Sequence, residues 1–200
     1  MTKNEPISYS KKYTPFSREA LIEEVKKRLT EKRFEHVLRV EETALKLAEK
    51  HGVDKEKVSI AALLHDVAKD EPDGEMMDLV ISENLDLDLL QYGNAIWHAP
   101  VGVIKAKRDF YIEDEEILNA IKHHTVGASE MSAVEQIVYV ADYIEPGRDF
   151  SGVQTARKLA DESLEKAITF AIAATMVDLV ESKRKIYPKA IDSYNVWVAK

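Results

Sequence analysis

"IAALLHDVAKD" (residues 60–70) sets His65 and Asp66 side by side in a run otherwise written for burial. A carboxylate taken out of water is costly unless it is paired or bound to a metal. The stretch therefore raises the question of what these two groups meet inside the fold. The dipeptide alone carries little, because six His and 14 Asp in 200 residues make about 0.4 such pairs by chance. Its meaning depends on the rest of the chain.

Outward from this stretch the signals are nearly all helical. Ser17 can cap "REALIEEVKKRL", and Thr30 can cap a long helix running to Gly52, a suitable residue just past a helix end. Within that helix Phe34, Val37, Leu38, Ala44, Leu45 and Ala48 form an apolar stripe at helical spacing. Asp54 caps the helix that holds the opening stretch and stops before Pro72. Asp73 opens "GEMMDLVISENL", and a short apolar segment follows to Tyr92. Pro100 is expected in a first helical turn, just after Trp97 and His98. Asp114 precedes "EEILNAIKHH", which Gly127 ends. Ser132 and Glu135 fit a capping box that opens "AVEQIVYVADYIEPG", so the β-branched "IVYV" reads as helix, with Pro146-Gly147 as the stop. A long helix spans about 163–185, and Pro188 opens a last short one. The expected fold is all-α. One helical domain spans 17–200 behind a flexible N-terminal extension, residues 1–16, which is polar and lacks periodicity.

Composition narrows the possibilities. A hydrophobic content of 45% suffices for one core in 200 residues. A net charge of −8 and a pI near 5.3 argue against a nucleic-acid groove, which needs a basic footprint; small phosphorylated ligands need only a local basic patch. With no cysteine, any metal must rest on His and carboxylates. The first 17 residues lack a signal-peptide core, and the longest apolar tract, 167–177, is short of the roughly 20 residues that span a bilayer. The expectation is a cytoplasmic protein without a membrane partner. Apolar stripes on the outer helices leave a homodimer open.

A second carboxylate repeats the anomaly: Asp142 lies inside "IVYVADYI". Either aspartate could simply cap a helix or pair with Arg. His36, at the edge of the long helix's apolar face, reads by itself as a boundary histidine. Together His36, His65, Asp66 and Asp142 make a four-ligand nitrogen and oxygen set that suits Fe, Mn, Zn, Co or Ni. His98 before a helix start and His124 at a helix end can point into a cleft. His51, in "EKHG", suits a helix C-terminus. His123 and His124 face different ways, so one of them is expected to reach the site.

The order His…His-Asp…Asp resembles the HD superfamily of metal-dependent phosphohydrolases. The strings "RFEHVLRVEETALKLAEKHG", "IAALLHDVAKD", "WHAPVG", "AIKHHTVG" and "VYVADYIEPGR" together resemble its YqeK-type group, the bacterial symmetrical diadenosine tetraphosphate hydrolases. The resemblance covers residues 18–198. It implies an HD-type helical bundle with a central metal site, in which a metal-activated hydroxide cleaves diadenosine tetraphosphate into two ADP. His36, His65, Asp66 and Asp142 take the metal-ligand positions; Asp66 would bridge two ions, and His98 and His124 would hold the second ion or the phosphate. The family histidine in "KHHTVG" stands before Thr125, which selects His124. Iron is the metal the resemblance favours, with one or two ions, divalent or mixed-valent.

Basic residues nearby are candidates for phosphate. Lys69 lies four residues after His65, Arg148 follows "EPG", and Arg33 precedes His36 by three. Each also reads as an ordinary surface cation. Lys185 and Tyr187 in "KRKIYP" can approach a nucleotide, with Tyr187 stacking on a base, or form only a basic helix end and an aromatic plug. Thr125 joins them as a substrate contact through its place beside His124. Two other functions remain open at this point: an HD-type hydrolase of another nucleotide, such as a nucleotidase or alarmone hydrolase, and a non-catalytic nucleotide-binding regulator.

Overall fold

Four of the helices begin where a side chain satisfies the first free amides. The Ser17 hydroxyl accepts from the Ala20 amide, Asp54 from Glu56 and Lys57, and Asp114 from Glu116 and Ile117. Ser132 and Glu135 form both halves of a capping box. The computed structural model describes residues 7–199. Its helices are α1 (Arg18–Lys26), α2 (Glu31–His51), α3 (Lys55–Leu64), α4 (Asp73–Ser82), α5 (Asn94–Phe110), α6 (Glu115–His123), α7 (Ala133–Ile144), α8 (Val153–Glu162), α9 (Leu164–Glu181) and α10 (Pro188–Trp197). The fold is all-α: among the described residues there is no strand, and "IVYV" lies within α7.

Several elements differ from the sequence expectation. Thr30 makes no side-chain cap; its amide and hydroxyl both donate to Asp70, tying the start of α2 to the turn after α3. α3 ends at Leu64, so His65 and Asp66 lie in a tight turn, residues 65–70, and not inside a helix. Pro100 lies within α5, which begins six residues earlier, after Gly93 at φ 78°. The short apolar segment before Tyr92 is a 3₁₀ turn, Leu87–Gln91. α8 had no counterpart in the sequence reading. α9 stops at Glu181, followed by Lys183 in the left-handed region.

Residues 7–16, expected to be part of a flexible extension, are instead docked. The Tyr9 hydroxyl lies 2.7 Å from Ser59 Oγ, Thr14 donates to the Phe110 carbonyl, and Phe16 packs against the Phe110 ring. Aromatic residues spaced too irregularly for a helix did this, which periodicity cannot register. Residues 1–6 lie outside the described part.

α2 packs on α3 and α7, and α6 fills the space between α3, α5 and α7. Their shared core contains Leu63, Leu64, Val67, Ile121 and Ile137, each fully buried; burying each such side chain stabilises by about 1.5–3 kcal/mol. A second apolar cluster joins Ala68 to Met76, Val80, Trp97 and Tyr187. The turn after α3 thus places Val67 in one core and Ala68 in the other, which fixes it from both sides. Gly102 lets α5 approach closely: a Cβ there would stand 3.3 Å from Ile121 Cγ2 and 3.8 Å from the His65 carbonyl. Among the described residues no helix is long and apolar enough to cross a membrane.

Candidate metal centre

Six side chains from five places in the chain converge between the two cores. His36 comes from the middle of α2, His65 and Asp66 from the turn after α3, His98 from the first turns of α5, His124 from the end of α6, and Asp142 from α7. His36, His65, Asp66, His98 and His124 are all buried.

The Asp66 carboxylate divides the cluster in two. Its Oδ2 lies 3.6 Å from His36 Nε2 and 3.5 Å from His65 Nε2. Asp142 Oδ1 closes this half, 3.1 Å from His36 Nε2 and 4.0 Å from His65 Nε2. Asp66 Oδ1 faces the other half, 3.2 Å from His98 Nε2 and 3.5 Å from His124 Nε2. Two ligands each about 2.1 Å from one ion stand roughly 3.0–3.4 Å apart. Two of these separations, 3.1 and 3.2 Å, fall in that range, and three more, at 3.5–3.6 Å, stand just above it.

The outer edges of the rings explain their aim. His65 Nδ1 faces the Ala62 carbonyl at 2.6 Å, and His124 Nδ1 faces the Ile121 carbonyl at 2.8 Å. Both residues follow a helix end, where last-turn carbonyls lack helical partners. His98 Nδ1 lies 2.7 Å from the Asn94 carbonyl and His36 Nδ1 3.1 Å from Glu145 Oε1. A carbonyl or carboxylate at Nδ1 accepts only from N–H, which assigns all four neutral rings the tautomer with a bare Nε2 turned inward. Lys69 Nζ also stands 3.2 Å from His98 Nδ1; the shorter contact to a carbonyl decides that tautomer.

His36 Nε2 and His65 Nε2 are buried without a hydrogen-bond partner among the described residues. His98 Nε2 and His124 Nε2 lie 3.0 Å apart. Inward lone pairs beside two carboxylates fit a divalent transition metal. The field favours a cation as well. Burial works against charge throughout, yet Asp66 and Asp142 outweigh it and hold His65 above its usual range. The same burial opposes ionisation of both aspartates, and neighbouring His groups, with Arg148 beside Asp142, keep both well below the carboxylate range. His124 is pushed down to about 4, chiefly by burial, so it is neutral at pH 7.

The basic candidates surround this centre. Arg33 Nη1 donates to Asp66 Oδ2 at 2.8 Å, and Arg148 pairs with Asp142 Oδ1. Lys69 reaches the centre from the turn and not along a helix face. Burial and then the Arg33 charge lower its ammonium against the pull of Asp66. These three line a polar cavity of about 270 Å³ with Asp66, His98, His124 and Asp142. Thr125, Ala95, Tyr139 and Thr175 are shared with an apolar cavity of about 420 Å³, which Ile172 and Met176 also line. Tyr187 stands between that cavity and another of about 450 Å³. Its hydroxyl donates to Asp86, and its ring meets Tyr92 edge-on. Lys185 is exposed at the rim and donates to the Gln91 carbonyl. His123 points away from the centre, to Glu135 Oε1 at 2.7 Å.

Sequence reasoning passed over Glu145 and Arg39. Glu145 is buried between His36 Nδ1 and Arg39 Nε. Burial alone would raise its carboxyl, but Arg39, His36 and the Gly147 amide hold it below its usual range. The available signal was spacing: Arg39 follows His36 by one helical turn, and Glu145 follows Asp142 by three residues.

Comparisons with known proteins agree with this geometry. The HD domain family model matches residues 33–147, a span that contains all six residues of the cluster. The symmetrical bis(5'-nucleosyl)-tetraphosphatase of Bacillus subtilis (strain 168) is 42% identical over 179 residues, covering 90% of this chain and 96% of the relative. That of Staphylococcus aureus (strain NCTC 8325 / PS 47) is also 42% identical, covering 86% and 90%. A crystal structure from Clostridium acetobutylicum, of a predicted HD superfamily hydrolase involved in NAD metabolism, superposes with a TM-score of 0.86 at 36% identity, covering 92% of this chain and 98% of that one.

Proposed function

Because this chain belongs to the HD domain family and to the group of its symmetrical bis(5'-nucleosyl)-tetraphosphatase relatives, we propose that it hydrolyses diadenosine tetraphosphate and related dinucleoside polyphosphates into two nucleoside diphosphates. The observation that carries the reading is the Asp66 carboxylate, which presents one oxygen to each of two histidine pairs. His36, His65, Asp66 and Asp142 would hold one ion, and Asp66, His98 and His124 a second. Iron is the choice suggested by family resemblance, while Mn, Co, Ni and Zn suit the same donors. Such metals supply Lewis-acid polarisation of phosphoryl oxygens and an activated water.

The chain's own residues do the rest. The backbone and carboxylate acceptors behind the four rings fix their tautomers, so no ring has to turn before chemistry. Arg33 and Arg148 balance the two aspartates and present guanidinium edges to the polar cavity, where a tetraphosphate brings several negative charges. Lys69, partly desolvated, adds a point charge on the same wall. Thr125 lies where the polar cavity opens into the apolar one, which offers an adenosine a place beside the phosphates. Water addition across the central phosphoanhydride then breaks one bond and leaves ADP on each side.

A panel of nucleotides incubated with metal-loaded protein tests this reading. Diadenosine tetraphosphate is expected to be cleaved in preference to mononucleotides and guanosine tetraphosphate-type alarmones, and the Asp66→Ala protein to be inactive. Preference for an alarmone or a mononucleotide would reassign the substrate; metal binding with no turnover on any phosphoanhydride would replace the enzyme with a regulator.

A further inference from the structure

His36 is set apart from the other three histidines by what stands behind it. His65, His98 and His124 lean on backbone carbonyls of Ala62, Asn94 and Ile121, within their own helical segments. His36 sits in the middle of α2, and no carbonyl of its own helix faces its Nδ1 within hydrogen-bond distance among the described residues. Its Nδ1–H meets instead a side chain from another element, Glu145 Oε1 at the end of α7.

Glu145 is only 2% exposed, and burying a carboxylate costs several kcal/mol unless it is well compensated. The compensation is built in. Arg39, one turn along α2, donates through Nε to Glu145 Oε2 at 2.7 Å, and the Gly147 amide donates to the same oxygen. Gly147 is fitted to this arrangement, since a Cβ there would come within 2.6 Å of Arg39 Nε and Nη2. Arg157, from α8, holds the loop from its other side by donating to the carbonyls of Ile144, Glu145 and Arg148. The same loop supplies Arg148 to Asp142. One short segment, residues 145–148, therefore contacts both His36 and Asp142.

We propose that Glu145 is a positioning residue for the first ion: clamped by Arg39 and the Gly147 amide, it holds His36 in the Nδ1–H tautomer with Nε2 aimed at the centre. The inference rests on the reading that His36 is a metal ligand. A residue in this role typically governs metal affinity by about 10–100-fold.

The test uses the full chain, comparing the unsubstituted protein with Glu145→Ala, Glu145→Gln, Arg39→Ala and His36→Ala. Manganese or zinc affinity is measured by chelator competition, and the tautomer of His36 by nitrogen-15 NMR of the metal-free protein. Glu145→Ala is expected to weaken one ion about 10–100-fold, leave the other in place and mix the His36 tautomers. Glu145→Gln, which keeps a carbonyl acceptor, is expected to recover part of the affinity and the single tautomer. Arg39→Ala, a half-exposed position expected to fold even where Glu145→Ala does not, should show a smaller loss for the same ion. Unchanged affinity and tautomer in both Arg39→Ala and the folded Glu145 variants would overturn the inference, provided His36→Ala still loses an ion. If His36→Ala itself binds both ions normally, the metal-ligand reading fails instead.

Discussion

His98 Nε2 lies 3.0 Å from His124 Nε2, and the Nδ1 atom of each ring already faces a backbone carbonyl, that of Asn94 and that of Ile121. Two inward lone pairs at that distance repel unless a positive charge lies between them. Asp66 Oδ1, 3.2 and 3.5 Å away, adds further negative potential. The pair is therefore a place for a cation, and its consequence is stoichiometric. His98→Ala and His124→Ala should each bind one ion fewer per chain by elemental analysis, while Asp66→Ala should bind neither ion tightly. Full metal content in both histidine variants would remove the second site.

Arg33 and Arg148 face the same cavity as Asp66, His98, His124 and Asp142 but donate to carboxylates and not to ring nitrogens. A charged hydrogen bond to phosphate is worth about 1.5–3 kcal/mol, and each 1.4 kcal/mol is tenfold. Arg33→Ala and Arg148→Ala are each expected to lower kcat/KM for diadenosine tetraphosphate by about 10–100-fold with metal content preserved. Loss of metal in either variant would show that the arginine holds its aspartate in place instead.

The apolar cavity of about 420 Å³ beside the centre gives a third prediction, with Met176 on its wall. Met176→Trp should fill it. Excluding about 100 Å² of base surface, at ~25 cal/mol per Å², costs about 2.5 kcal/mol. Calorimetry of ADP binding should therefore show a loss of more than about tenfold, with the metals retained. Unaltered ADP affinity would move the nucleoside elsewhere.

Glu135 offers a stability prediction remote from the chemistry. Burial alone would raise its carboxyl, but the His123 ring and the Ser132 amide and hydroxyl hold it below its usual range. A depressed carboxylate contributes stability above its unfolded value of about 4.3, and that contribution fades as pH falls through the lower folded value. Glu135→Gln, which keeps the capping geometry, should lower Tm at pH 6–7, and the difference should shrink as pH falls below the unfolded value. A constant Tm difference across that range would contradict the assignment.

The sequence disclosed the converging His and Asp side chains better than the backbone that carries them. Asp142 was legible because a carboxylate stood in an apolar helical run; helical divergence told that one of His123 and His124 would face inward, and the family resemblance pointed to His124, while His123 does turn away, to Glu135. The turn at His65 was not legible. Ile60 to Ala68 are all buried, so the apolar run gives no periodicity to mark where α3 stops. Capping rules placed Thr30 at the start of α2 but not the bond of its hydroxyl, whose partner, Asp70, is 40 residues away. Glu145 escaped notice for a related reason. Its meaning lies in a bond across 109 residues to His36, which no local pattern encodes.

The central claim is most directly tested by the products of a single reaction. Metal-loaded protein, incubated with diadenosine tetraphosphate and sampled early by chromatography, is expected to release ADP alone, with His65→Ala and Asp66→Ala inactive under the same conditions though still helical by circular dichroism. AMP together with ATP, or undiminished ADP release by both variants, would contradict it.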